Sequence, residues 1–456
     1  MSRSSATLVL LAVLIAYLSI GAAYAISTPP WQAPDEPAHY NYIKYIVEHG
    51  ALPVLAAGDY DQAYNEAFTR SPSDVQTRSI EPLRYENYSP PLYYLLAVPL
   101  YALTDGWLIG VRFLSVVLGG ALVVVAYLIG AEVLPDRLHI ALGGAALVAF
   151  VPQHVAMLSA VNSDALAELL IALCALQALR LFRTPQPSQR ALFVLGVTLG
   201  LGLLTKATVY YTALPIVAVA LGLHRRRHGS PFTQFVLVFV PALALGALFW
   251  LRNLSVYGGF DILGLARHNA IVVGQPTTAE WIAQYGVGGT IGRGLTTTFH
   301  SFWGQFGWMA VPMPDNVYVI LGGLSALGAA GWLWWLIETR RAERGARPMS
   351  AGAIVLGLLA ALTAGGLIYY NLTFVQYQGR YLFPALIPLG LVFTLGLDQW
   401  LDKARAVVVK LTAKSKRDLT PWLDEAQLLV LTLVFLYLAR LCVVALQNYI
   451  LPNLSA

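Results

Sequence analysis

Apolar residues run in long blocks along this chain, and the polar residues fall in the gaps. Eleven stretches approach the roughly 20 residues a helix needs to cross about 30 Å of hydrocarbon. They are 6–27, 107–133, 139–158, 163–181, 190–205, 207–223, 231–251, 316–337, 350–371, 381–400 and 425–447. The first has leader-like flanks, Arg3 and Ala23-Tyr24-Ala25. Its apolar run exceeds the about 7–15 residues of a signal peptide, so it is read as a retained span. Residues 190–223 form one 34-residue block with Lys206 in its middle, too long for one helix and enough for two short ones. The stretch 90–104 is short and holds Pro90, Pro91 and Pro99. Were it to cross, every later basic loop would change sides, so it is read as a re-entrant or interfacial helix.

Composition agrees with that pattern. Of 456 residues, 57% are hydrophobic and 12% charged, with a mean hydropathy of +0.62. Soluble chains carry about 25% charged residues. A cytosolic enzyme, a nucleic-acid-binding domain, a disordered chain and a secreted disulfide scaffold are excluded. The two cysteines, Cys174 and Cys442, lie in apolar stretches and make no metal pattern. The expected architecture is an all-α polytopic membrane protein of about eleven spans. It forms one integral membrane domain over 1–456, without a soluble C-terminal domain.

The net charge of +5 reflects topology. Arg3, Arg137, the clusters at 180–190, 225–227 and 340–347, and Lys403, Arg405, Lys410, Lys414, Lys416 and Arg417 make 18 of the 29 basic residues. All are cytoplasmic together if the spans alternate, with the N-terminus inside. The run 402–420 is then a charged loop that can lie on anionic lipid. Segments 28–106, 252–315 and 372–380 face outward from the cell membrane. Trp31 to Pro90 holds nine acids and four bases, the opposite bias.

Several polar residues on that outer side are not explained by the membrane. In Pro34-Asp35-Glu36-Pro37, the prolines suit a first helical turn. Asp35 and Glu36 would then begin an interfacial helix with Tyr42, Ile43, Ile46 and Val47 on its apolar face, and His39 one turn on. Complementing the helix dipole explains such acids as well as a general base does. Asp164, in Asn162-Ser163-Asp164, is either a helix cap or a second outer acid. Glu168, one turn deeper, is an acid within a membrane helix. Lys206 is a snorkelling lysine or a cation awaiting an anion. Arg252 and Arg380 stand outside, where arginine is disfavoured, and their planar forks suit phosphate. Trp303, Phe306 and Trp308 read most simply as an interfacial belt, with a platform for a sugar or lipid as the alternative. Arg440, in the last span, suggests no mechanism. No nucleotide-binding loop or common hydrolase motif is present.

These residues resemble the GT-C class of multi-pass glycosyltransferases that use polyprenyl-phosphate sugars. The likeness is nearest to the bacterial protein O-mannosyltransferase and aminoarabinose-transferase branch. It rests on Asp35-Glu36 in the first outer loop, Pro90-Pro91-Leu92-Tyr93-Tyr94 at its end, Asp164 in the second, Leu204-Thr205-Lys206, and Gln378-Gly379-Arg380-Tyr381 before a late helix. Each motif is short; their order and shared face carry the resemblance.

The resemblance implies transfer from a polyprenyl-phosphate sugar to an outward-facing acceptor, with inversion. Asp35 is the general base with Glu36 beside it, and Lys206, Arg380 and Arg252 hold the donor phosphate. His39, Asp164, Glu86 and Tyr93 are the side chains expected to bind substrate. Some members bind a divalent metal, magnesium or manganese, at paired acids, and Asp35 with Asp164 would be that pair here. Membrane lipid and the lipid-linked donor are the expected partners, with a lipid, glycan or protein acceptor and no nucleic acid. The chain ends about nine residues after its last expected span. That favours a small or lipid acceptor over a protein. Pro37 is not expected in every member. A lipid-sugar flippase and a non-catalytic subunit on the same scaffold remain as alternatives.

Overall fold

The computed structural model describes residues 1–229, 231–342, 350–412 and 420–455. Arg344, Arg347, Lys414, Lys416 and Arg417, expected to be cytoplasmic, lie outside them, as do residues 413–419 of the charged loop.

The chain opens with α1 (Arg3–Ser27) and a run of outer-loop helices: α2 (Glu36–His49), α3 (Gln62–Thr69), α4 (Pro72–Thr77) and α5 (Leu92–Leu103). The bundle continues with α6 (Leu108–Val133), α7 (Leu138–Phe150), α8 (Pro152–Leu158), α9 (Asp164–Leu181), α10 (Gln189–Leu203), α11 (Thr208–Tyr211), α12 (Ala213–His228) and α13 (Thr233–Tyr257). A second loop region holds α14 (Leu265–Ile271) and α15 (Thr278–Trp303), the latter kinked at Gly286. A two-residue hairpin pairs Gln305 with Pro312 and Phe306 with Val311. The last helices are α16 (Asp315–Ala342), α17 (Ala351–Asn371), α18 (Leu386–Thr412), α19 (Thr420–Val444) and α20 (Leu451–Leu454). A wider helical turn at Ala445–Ile450 joins α19 to α20, so the helix runs past the apolar limit at 447.

This is a helical multi-pass membrane protein. Among the described residues, seven helices are long and apolar enough to cross, and α7 with α8 makes an eighth if the bent pair is one span. The expectation of eleven therefore divides. The other three stretches are helical, but α10 has only 15 residues, α12 has 16, and the 18 of α9 include Asp164, Glu168 and Arg180. At 1.5 Å per residue, 15 residues reach about 22 Å. Lys206 lies in the turn between α10 and α11. The proline-rich stretch forms α5, which stacks on α2 through Tyr94 and Tyr42, ring centroids 3.7 Å apart. At one end of α5, Leu92 N–H donates to Leu204 C=O at 2.9 Å. At the other, Gly106 C=O accepts the Tyr40 hydroxyl at 2.5 Å.

The break between α7 and α8, 64° in angle, has a local cause. Pro152 has no N–H to give the Val148 carbonyl four residues back. His154 Nδ1 donates to that carbonyl instead, at 2.7 Å. Its Nε2 then meets Glu168 at 2.9 Å, so the acid inside the membrane helix is partnered. Glycines allow close packing of α16 on α18. A Cβ added to Gly396 would lie 1.7 Å from the Gly328 carbonyl oxygen.

Charges gather at the two ends of the bundle. One end holds Arg183–Glu132, Arg137–Asp398, Lys403–Glu338 and Arg405–Asp424. The other holds the three loop segments, tied by Val375 N–H to Pro276 C=O and by Arg380 to Asp35.

Candidate active site

The acid pair at the start of α2 divides between two tasks. Asp35 precedes the helix in the left-handed conformation, φ 66°, which an aspartate tolerates better than most side chains. It caps no helical N–H. Its Oδ2 accepts from Arg380 Nη2 at 2.6 Å and its Oδ1 from the Tyr85 hydroxyl at 2.9 Å.

Glu36 points the other way, into the protein, and is 0% exposed. Arg112, on α6, donates to its two oxygens at 2.7 and 2.6 Å. The same guanidinium donates to the Ala25, Thr28 and Pro29 carbonyls. Val161 N–H and Trp31 N–H complete the carboxylate's bonds. The catalytic role expected of Glu36 finds no free oxygen there. Sequence reasoning passed over Arg112 within an apolar block, although a charge so placed needs a partner.

The second outer acid sits across from this turn. Asp164 opens α9 and pairs with Lys206 Nζ at 2.7 Å. Its N–H is capped by Asn162 Oδ1 at 2.8 Å, so the local capping falls to the asparagine. The Asn162 N–H in turn donates to the Tyr93 hydroxyl.

Asp35, Asp164, Lys206 and Arg380 line one cavity of 620 Å³, with Glu86, Tyr85, Tyr88, Tyr370 and Tyr381. Two donors of Arg380, Nε and Nη1, are buried without a hydrogen-bond partner among the described residues. The guanidinium lies 5.4 Å from the Tyr381 ring. Glu86 accepts the Ser89 hydroxyl at 2.5 Å. With Lys206 and Tyr88 it also lines a neighbouring cavity of 110 Å³ that continues toward Thr208 and Tyr211.

Other expected site residues lie elsewhere. His39 is buried behind Asp35, with Nδ1 2.8 Å from the Tyr94 hydroxyl. Tyr93 is fully buried and bonded to Ser115, so it supports the Asn162 turn and does not reach the cavity. Arg252 shares the end of the bundle but not the cavity. It donates to the Pro53 carbonyl and, at 2.9 Å, to Asn253, and so fastens the first loop to α13. Trp303 and Phe306 are core residues, each 3% exposed, and not an interfacial belt. Trp308 lines the cavity and donates Nε1 to the Trp31 carbonyl. Arg440 stands exposed on α19, and nothing in the structure gives it a role.

The electrostatics follow from these contacts. Burial would raise Asp35, but the Arg380 charge and the bonds from Arg380 and Tyr85 hold it below the usual carboxylate value. Burial lowers His39 against the pull of Glu86 and other nearby acids. Burial would lower Lys206, but Asp164 and Glu86 keep it raised. Asp35 and Asp164 are each neutralised by their own cation, and no group of three potential ligands occurs among the described residues.

Comparisons place this geometry. A family described as "Predicted membrane protein (DUF2142)" matches residues 51–389. Comparison with curated proteins gives no match. The Archaeoglobus fulgidus oligosaccharyltransferase, tethered to an acceptor peptide, superposes with a TM-score of 0.52 at 16% identity, covering 97% of this chain and 55% of its own. ArnT from Cupriavidus metallidurans in the apo state gives 0.50 at 13% identity, covering 100% and 74%. The same protein bound to undecaprenyl phosphate gives 0.48 at 12% identity, with the same coverage. The chain thus spans about half the length of the oligosaccharyltransferase. At these identities the likeness is one of fold, and the fold is that of the GT-C membrane proteins.

Proposed function

The chain belongs to the DUF2142 family of predicted membrane proteins, and on that premise we propose that it is a glycosyltransferase using a polyprenyl-phosphate sugar. The observation that carries this reading is the pair of buried, unpartnered Arg380 donors in a cavity that also holds Lys206. A buried donor without a partner costs about 1–3 kcal/mol, and a phosphate oxygen in the cavity would satisfy one of them. Phosphate is also the anion for which a planar guanidinium beside an ammonium is suited.

Lys206 and Arg380 hold the donor phosphate and stabilise the charge that develops on it. A phosphate bound at Arg380 competes for its charge, which weakens the hold on the Asp35 carboxylate and leaves it available as a base. The acceptor hydroxyl then bonds to the anomeric carbon. The bond from that carbon to the phosphate oxygen breaks, with its electron pair leaving on polyprenyl phosphate. Asp35 takes the hydroxyl proton, and the anomeric configuration inverts. Asp35 and Asp164 are the acids that would hold a divalent metal, and no step is routed through one. Asp164 orients Lys206, and Glu86 contacts the substrate at the neck between the cavities. The basic residues at the far end support a cytoplasmic N-terminus and a site on the outer face of the cell membrane.

The test is release of polyprenyl phosphate from labelled polyprenyl-phosphate sugars, with a crude acceptor extract. Wild-type release that collapses in a folded Asp35→Asn protein is the expected outcome. Equal release removes Asp35 from the role. No release from any donor removes the enzyme reading and turns the test to lipid transport in vesicles.

A further inference from the structure

The cavity is chemically uneven. Its lysine and arginine, among the described lining residues, are Lys206 and Arg380, and both are committed to the donor phosphate in the reading above. Around that ionic patch the lining is rich in carboxamides: Gln62, Asn65, Asn269, Gln275, Gln376 and Gln378. Gln62 and Asn65 stand one turn apart on α3, and Asn269 comes from α14. The Asn65 Oδ1 atom is buried without a hydrogen-bond partner among the described residues. Gln62 Nε2 donates to Glu66 at 2.6 Å and its Oε1 accepts the Tyr60 hydroxyl, which together fix its amide plane. Tyr60 and Trp308 add aromatic faces to the same lining.

Each class of acceptor meets this surface differently. An anionic acceptor finds no second cation there. An acyl chain finds only Leu265, Val272 and Pro276 as aliphatic surface. A polyhydroxylated ring finds what it needs. Asn65 leaves its Oδ1 free, the other carboxamides keep spare donor or acceptor positions beside the bonds Gln62 makes to Tyr60 and Glu66 and Gln378 makes to Gln376, and an aromatic face packs on the ring's apolar side.

We infer that the acceptor is a hydroxyl of a neutral glycan, held by the carboxamides around Asn65 and Gln62. This rests on the transferase reading. The acceptor oxygen forms the bond to the anomeric carbon, the carbon–phosphate oxygen bond breaks, and the proton goes to Asp35.

The experiment is saturation-transfer NMR on the full chain in lipid nanodiscs, without donor. The probes are neutral gluco-, manno-, galacto- and rhamno-trisaccharides, a glucuronic-acid trisaccharide and a serine/threonine hexapeptide. At least one neutral trisaccharide should bind. Its affinity should fall about three- to ten-fold in Asn65→Leu, and likewise in Gln62→Leu, the loss expected for one uncharged hydrogen bond. Arg252→Ala, at a residue outside the cavity, should leave it unchanged. No signal from any neutral trisaccharide overturns the inference. So does preference for the peptide or the uronate, or a sugar signal indifferent to both α3 variants. Sugar binding that survives while donor turnover is absent counts against the transferase reading alone.

Discussion

Arg112 grips Glu36 through two hydrogen bonds of 2.7 and 2.6 Å, with both side chains essentially unexposed, one residue away from an aspartate that faces the cavity. Neighbouring carboxylates thus have opposite surroundings. Glu36→Gln breaks a buried pair and should cost about 3–5 kcal/mol of stability. Asp35→Asn should lower the thermal midpoint less than Glu36→Gln does at neutral pH, and should remove turnover. Thermal unfolding in detergent beside the release assay separates the two. A Glu36→Gln protein as stable as wild type would return Glu36 to the chemistry.

The cations should divide in the same way. Lys206→Ala and Arg380→Ala should each lower kcat/KM about 10²–10³-fold, as loss of one charge-stabilising contact does. Arg252 is spent on the Pro53 carbonyl and Asn253, so Arg252→Ala should stay within about three-fold. Steady-state kinetics on a single donor is sufficient. A loss at Arg252 equal to that at Lys206 would place it on the phosphate after all.

Gly379 lets the Arg380 backbone approach α15. A Cβ there would lie 2.2 Å from Phe302 N and 2.4 Å from the Thr298 carbonyl oxygen, and backbone cannot give way cheaply. Gly379→Ala should therefore lower both stability and turnover, whereas Gly357→Ala, where the added methyl meets open space, should lower neither. Melting curves and release rates on the two variants check this.

The low value of Asp35 makes a pH prediction of definite sign. A carboxyl depressed on folding stabilises the native state above its unfolded value, about 3.9, and that stability is lost as pH falls through the folded value. Any difference in melting temperature between wild type and Asp35→Asn should shrink as pH falls below about 4. A gap that widens there would mean that Arg380 does not hold the charged form.

Hydropathy and the spread of basic residues made much of this legible. They place Asp35, Asp164, Lys206, Arg252 and Arg380 at one end of the bundle, where the structure has them. Lys206 marks its turn because 34 apolar residues exceed one helix. What the pattern could not supply was direction. Asp35 and Glu36 are adjacent, and only the turn into α2 decides which one reaches the cavity. Tyr93 and Tyr94 differ by one position, yet Tyr93 bonds to Ser115 and Tyr94 to His39. Arg252 was equivalent to Arg380 by charge and side, and differs because the first loop passes over it. The apolar core hid Trp303 and Phe306, whose aromaticity alone suggests an interface.

One element over the cavity is held quite differently from the welded turn below it. Helix α14 buries none of its seven residues, yet it brings Leu265, His268 and Asn269 to the cavity wall. Its fastenings are the ring contact of His268 with Tyr88, the Arg267 bond to the Leu55 carbonyl and the Ala266 and Arg267 N–H bonds to the Asp261 carboxylate. Segments with so few apolar contacts open at little free-energy cost. The amides of α14 should exchange with solvent far sooner than those of α2, and a bulky ligand can be admitted by a local opening while the Asp35 turn stays folded.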